Sequence, residues 1–232
     1  IDVESGAPRW VAAVTEDAKT TTFAPVVDRD LVAVAYTRFV APNQGGVVAL
    51  DPRTGRERWR RSFPRATFGL GTGAAGGPVL VGRLVVASSG DGTIYGLDRR
   101  DGSIRWSIPA LEEPAGRRPA VPQADFRALA LSGGRLIAGS LSGTVVAYSL
   151  GSRVEEWRSD VVRASVAFGL AADAQSVYVP FLSGDLVALN SLDGRERWRV
   201  GGSADGFVWT PLVDDRRVYA AGSRAGFVAF RK

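Results

Sequence analysis

The chain has 232 residues, 45% of them hydrophobic, with 28 glycines and a formal charge of +5 in which every basic residue but Lys19 and Lys232 is arginine. It contains neither histidine nor cysteine, so the usual general base, the thiol nucleophile and the soft metal ligands are missing. No apolar run is long enough to span a bilayer, while the hydrophobic content suffices for one large core or a repeat array.

In chain order, residues 1–10 read IDVESGAPRW and end on Trp10. Apolar runs follow in DRDLVAV and in GVVAL, led by Gly46, before LDPRTGRERW closes on Trp59. The order then repeats. VGRLVVAS and GTIYGL (from Gly92) precede LDRRDGSIRW and Trp106; SGGRLIAGS and GTVVAY (from Gly143) precede YSLGSRVEEW and Trp157. DAQSVYVP and GDLVAL (from Gly184) precede LNSLDGRERW and Trp198, and DDRRVYAAG and GFVAF (from Gly226) come last.

Tryptophans returning at roughly 40–50 residues mark a repeat. Val-rich runs bounded by Gly, Asp, Asn and Ser, without a sustained 3.6 period, mark strands. The pattern predicts an all-β chain: a single five-bladed β-propeller of four-stranded antiparallel blades. The blades fall at residues 11–59, 60–106, 107–157, 158–198, and 199–232 plus 1–10. In the last, APRWVAAV supplies the outer strand beside GFVAF, so the N-terminal strand closes the ring and removes the open edges. Five repeats cut from a larger propeller are the alternative. The chain holds no methionine, so residue 1 is expected to follow processing or trimming.

The repetition also assigns the motif its work, because a catalytic site is needed once and a building element in every blade. Asp51 can accept backbone N–H groups of the turn after it, and Gly55 supplies a positive φ. RERW then starts the next strand with alternating sides. Trp10, Trp59, Trp106, Trp157 and Trp198 are expected to dock blade on blade, each indole N–H meeting a carbonyl.

Three insertions fall on one face of the predicted ring: residues 36–45, 60–77 and 107–126. They carry Arg38, Arg60, Arg61, Arg65, Arg117 and Arg118 among Phe39, Phe63 and Phe68, a mixture typical of partner-binding surfaces. Aligning the inner strands also brings Phe23, Arg127, Phe168 and Trp209 to equivalent positions at the channel mouth. They are candidates for holding a small ligand or, alternatively, plugs between blades. Neither a basic run with interleaved stacking aromatics nor a carboxylate pair on an inner strand is present, so nucleic acid and glycoside chemistry are not expected.

The arrangement A-x-D-x-x-T-G-x-x-x-W closely resembles the tryptophan-docking motif of the pyrroloquinoline-quinone-type β-propeller repeats. Residues 46–59 and 92–106 fit it, as do 184–198 with Asn190 in place of Asp. The copy ending at Trp157 lacks both the Asp and the placed Gly, which leaves its turn open. Quinone-dependent dehydrogenases of this repeat are longer and carry paired cysteines and a calcium site of Glu, Asn and Asp. With Asn43 and Asn190 as its only asparagines, this chain offers no such site. It is more similar to the non-enzymatic BamB family of outer-membrane assembly factors, although those propellers have more blades. That similarity implies a periplasmic or otherwise extracytoplasmic scaffold with no cofactor and no metal, protein partners in the cell envelope, and any lipid anchor in a segment outside this chain. The competing reading is an extracytoplasmic sensor or ligand-binding domain.

Overall fold

The computed structural model describes residues 4–15, 20–38, 45–63, 72–109, 126–160, 164, 166–167, 169–201, 207, 209–222 and 226–232. Among these residues there is no helix. The chain divides into two compact units, Ile1–Ser107 and Ile108–Lys232, the division falling inside one strand.

The first unit holds two sheets. In the first sheet, Thr20–Thr22, Val32–Arg38, Gly46–Leu50 and Glu57–Ser62 lie side by side, with Val26–Val27 and Thr72–Gly73 also pairing to Val32–Arg38. The second sheet runs Val79–Val81, Leu84–Ser88, Ile94–Asp98, Ile104–Ile108. The second unit holds three sheets. The third sheet runs Phe126–Ser132, Arg135–Ser140, Val145–Ser149, Glu155–Ser159, and the fourth Ala171–Ala172, Ser176–Pro180, Leu186–Asn190, Glu196–Val200. The fifth has three strands, Leu212–Val213, Arg217–Gly222 and Gly226–Arg231.

The strand pairings are antiparallel, and apart from the added pairings on Val32–Arg38 each sheet follows chain order as a meander. Gly46–Leu50 and Ile94–Asp98 are buried along their whole length, on both faces of the strand. That is why they read as unbroken apolar runs. The outer strand Glu57–Ser62 is mostly exposed, with Trp59 buried between charged neighbours.

The sheets pack face to face within each unit. Ala33, Ala35, Val47 and Ala49 of the first sheet meet Val85, Ala87 and Leu97 of the second. In the second unit, Ile137, Val145 and Ala147 meet Val177, Val187 and Leu189. The opposite face of the fourth sheet, with Tyr178, Leu186 and Ala188, packs on Val218, Ala220 and the partly buried Phe230 of the fifth. Beyond it, Leu212 and Phe227 on the far side of the fifth sheet are 63% and 67% exposed.

Residues 4–15 form no strand, so the expected fourth strand of the last sheet is not among the described pairings. Trp10, Ala12 and Val14 lie instead against Val34, Tyr36, Val48 and Leu50, the face of the first sheet turned away from the second.

Candidate functional site

The turn at Asp51 shows how the repeated motif is put together. Asp51 Oδ1 accepts the N–H groups of Arg53 and Thr54, both at 3.0 Å, and the Thr54 hydroxyl at 3.1 Å. Arg58 donates to Oδ2 at 2.7 Å, and this guanidinium with the Thr54 N–H holds the carboxyl well below the usual range. The Gly55 N–H returns to the Asp51 carbonyl at 2.9 Å, with φ at +70°.

That glycine is needed for space as well as for φ. A Cβ on Gly55 would lie 2.6 Å from Cε3 of Trp10, and the same holds for Gly102 under Trp59 at 2.5 Å and Gly194 under Trp157 at 2.4 Å. Each ring therefore lies on the turn of the following sheet. The indole N–H finds a carbonyl there: Trp10 to Pro52 at 2.9 Å, Trp59 to Arg99 at 2.8 Å, Trp157 to Ser191 at 3.0 Å. Trp106 is half-buried over Gly96, and Trp198 is half-buried between the rings of Tyr178 and Phe230.

The outer strand departs from the strict alternation expected of RERW. Ala49 pairs with Trp59 but Leu50 with Glu57, so Arg58 is an extra residue, and identical shifts occur at Ala147/Tyr148 and Ala188/Leu189. In a regular strand, residues three apart point to opposite faces; a bulge brings them to the same one. Three equivalent ion pairs result: Glu57–Arg60 at 2.5 Å, Glu155–Arg158 at 2.8 Å and Glu196–Arg199 at 2.7 Å.

Arg60 is thereby tied inward. It also donates to the Val14 carbonyl at 2.9 Å and sits 5.3 Å from the centre of the Tyr36 ring. Arg61 donates to the Gly102 carbonyl at 2.8 Å, bracing the neighbouring turn. Phe63 is 4% exposed and stacks on Tyr95 at 5.1 Å. These three residues belong to the framework of the first unit and not to a freely exposed loop. Arg38 ends its strand opposite Thr20 and Thr72. Phe39, Arg65, Phe68, Arg117 and Arg118 lie outside the described residues.

Of the channel-mouth candidates, Phe23 is half-buried on the core of the first unit, its N–H bonded to the Ala35 carbonyl at 2.9 Å. Arg127 sits at a bulge in the second unit and Trp209 there is 61% exposed. Phe168 is outside the described residues. Among the described residues no group of His, Cys, Asp and Glu is placed to hold a metal ion.

Two recesses open at the hairpin-turn ends of the sheets. One, of about 300 Å³, lies between the first and second sheets and is lined by Asp30, Arg58, Arg83, Asp98, Arg99 and Arg100. The other, of about 360 Å³, lies between the fourth and fifth and is lined by Asp173, Gln175, Tyr178, Arg197, Trp198 and Lys232. Each is stapled by one ion pair between equivalent residues, Asp28–Arg99 in the first and Asp173–Lys232, at 2.7 Å, in the second. Burial alone would raise the Asp173 carboxyl, but Lys232 and the N–H groups of Gln175 and Ser176 hold it at about 2. Burial, with the Asp173 charge behind it, pushes the Tyr178 phenol up to about 12, so it donates to Asp173 as a neutral hydroxyl at 3.0 Å.

A family model described as outer membrane protein assembly factor BamB matches residues 1–155 and, in a second match, 141–232. The chain belongs to the BamB family. It is similar to the outer membrane protein assembly factor BamB of Nitrosomonas eutropha, 27% identical over 187 residues that cover 66% of this chain and 42% of that protein. The protein of the same name from Alkalilimnicola ehrlichii is 31% identical over 123 residues, 53% of this chain and 31% of that one. Among solved structures, BamB from Moraxella catarrhalis shares the fold, with a TM-score of 0.63 at 22% identity over 92% of this chain and 62% of that one. This BamB-family chain spans less than half the length of the curated relatives it matches.

Sequence reasoning missed the two stapled recesses. The available signal was an Asp heading the first hairpin of three repeats, in DRDL, DAQS and DDRR, where it accepts the N–H groups two and three residues on. What that Asp meets across the junction lies 71 residues away at Arg99, beyond the reach of a local pattern.

Proposed function

We propose that this chain is a non-catalytic protein-interaction scaffold of the bacterial cell envelope, acting on the periplasmic side in the assembly of outer-membrane proteins. The family match running through residues 1–155 and 141–232 carries the reading, and the named relatives are assembly factors. The repeated motif supports it, since Asp51, Gly55, Trp59 and Arg60 all work in blade construction. A rigid framework with insertions on one face suits recognition.

In this reading the insertion-bearing face holds the partner through Arg38, Phe39, Arg65, Phe68, Arg117 and Arg118, while Arg60, Arg61 and Phe63 fix the base from which the loops leave. The test is to reverse Arg65, Arg117 and Arg118 to Glu and purify the tagged chain from envelopes of its native host. Recovery of the principal co-purifying protein should fall about tenfold or more with thermal unfolding unchanged. Undiminished recovery would sink the assignment of this face.

We also infer that residues 7–14 complete the fifth sheet and close a five-bladed ring. Trp10 lies on Gly55 and Pro52 as Trp59 lies on Gly102 and Arg99, which gives the segment the phase of an outer strand. Carrying over the pairing of Trp59 with Ala49 and of Arg61 with Val47 places Ala12 opposite Phe227. In this cysteine-free chain, the double variant Ala12→Cys/Phe227→Cys should form an intramolecular disulfide on oxidation, visible as a mobility shift. Failure to form it in the folded protein would rule out that closure.

A further inference from the structure

The recess between the first and second sheets contains more positive charge than its own construction uses. Of its four arginines, Arg99 is committed to Asp28 and Arg58 to Asp51. Asp98 is likewise spent, accepting Arg105 through Nε at 3.0 Å and Nη2 at 2.7 Å and the Arg100 N–H at 2.9 Å. Among the described residues neither the Arg83 nor the Arg100 guanidinium has a hydrogen bond or contact ion pair; Arg83 acts only as a field that helps lower the Asp98 carboxyl.

The two side chains leave adjacent turns. The Arg99 N–H donates to the Arg83 carbonyl at 3.0 Å, which fixes the Gly82–Arg83 hairpin beside the Arg99–Arg100 turn, and Arg99 also donates to the Gly82 carbonyl at 3.1 Å. Arg83 and Arg100 are therefore held by backbone bonds on a common recess. In the equivalent recess between the fourth and fifth sheets both lining cations are already bonded: Lys232 is paired with Asp173, and Arg197 donates to the Gln175 carbonyl at 3.3 Å and the Ser176 hydroxyl at 2.7 Å.

We propose that the recess at Arg83 and Arg100 is a docking site for a carboxylate side chain of an acidic protein segment. Once the internal pairs are set aside, its lining is left with Arg83, Arg100 and Asp30, one net positive charge that a single carboxylate neutralises. Two guanidiniums on one recess suit a carboxylate's two oxygens through charge-assisted bonds. Asp30 in the lining, with Asp101 in the adjoining turn, opposes a phosphate dianion or a continuous anionic plane, which favours an isolated acidic side chain over a lipid surface.

The test uses the full chain labelled for amide NMR and titrated with a blocked peptide of alternating Glu and Gly. Saturable shifts are expected at Gly82, Arg83 and Arg99 to Asp101, absent when Gln replaces Glu in the peptide and weakening as salt rises. Arg83→Glu/Arg100→Glu should weaken binding about tenfold or more, and Arg83→Gln/Arg100→Gln provides a second variant if the reversal disturbs folding. Shifts confined to other turns, equal affinity in a folded double variant, or a preference for inorganic phosphate or phosphatidylglycerol vesicles over the peptide would each overturn the proposal. It stands apart from the envelope scaffold reading, whose test concerns the opposite set of loops.

Discussion

The junction of the first and second sheets and that of the fourth and fifth repeat one design with different results. Both are stapled by an aspartate of one sheet and a cation of the next, Asp28–Arg99 and Asp173–Lys232. In the first, Trp59 is 7% exposed, lies on Gly102 and bonds the Arg99 carbonyl, so one turn receives both the ring and the ion pair. In the second, Trp198 is half-buried and rests on aromatic faces, 5.9 Å from Tyr178 and 6.3 Å from Phe230. The ion pair survives the change of tryptophan environment, so the staple and the ring contribute separately. The cations left over after stapling, Arg83 and Arg100 in the first junction, mark where the repeat departs from its own requirements.

Replacing the two tryptophans should separate these contributions most strongly. Trp59→Ala removes a fully packed ring and leaves the Arg99 carbonyl and Gly102 uncovered, at a cost of about 3–5 kcal/mol. Trp198→Ala loses a ring already half in water and should cost about half as much. Urea unfolding followed by circular dichroism gives both values. Equal losses would mean that the glycine turn adds nothing to docking, and a larger loss at Trp198 would reverse the reading of the two junctions.

The middle strands were legible because burial on both faces writes itself as an unbroken run: GVVAL and the strand within GTIYGL stand as Gly46–Leu50 and Ile94–Asp98. The bulge before Trp59, Trp157 and Trp198 was not. It leaves the two-residue period intact on either side and shifts only the phase, so a reader of alternation passes over it. Its trace was the recurring Glu-x-x-Arg of ERWR, EEWR and ERWR, which makes sense on one face of a strand only if a residue is inserted. Missing that shift made Arg60 look like a free cation when Glu57, Tyr36 and the Val14 carbonyl already surround it. Phe63 misled for a related reason. A residue next to a glycine-rich insertion reads as loop, whereas its burial is decided by Tyr95 in another sheet, 32 residues away and invisible to local pattern.

The smallest effect concerns the turn that the motif left open. Residues 149–154 close as the others do: the Arg153 N–H reaches the Ser149 carbonyl at 2.8 Å and the Ser149 N–H the Val154 carbonyl at 2.9 Å, matching Gly55 to Asp51 and Asp51 to Arg56. Ser149 Oγ accepts the Ser152 N–H at 3.3 Å in place of the aspartate. Arg153 adopts φ of +63° where Gly55, Gly102 and Gly194 adopt +69° to +70°, so the hydrogen-bond frame imposes a left-handed conformation on a residue that resists it. Arg153→Gly should therefore stabilise the chain, by about 0.5–1 kcal/mol after the greater freedom of glycine in the unfolded chain is subtracted. The substitution gives up one exposed bond, Arg153 Nη1 to the Gly151 carbonyl at 2.9 Å, which is worth little in water. The converse change at Gly194 should be far costlier, since a Cβ there lies 2.4 Å from the Trp157 ring and must displace it. A gain on Arg153→Gly in thermal unfolding would show that the turn is set by its backbone bonds, with glycine an improvement and not a condition. A loss would mean that the Arg153 side chain outweighs the strain of its own backbone.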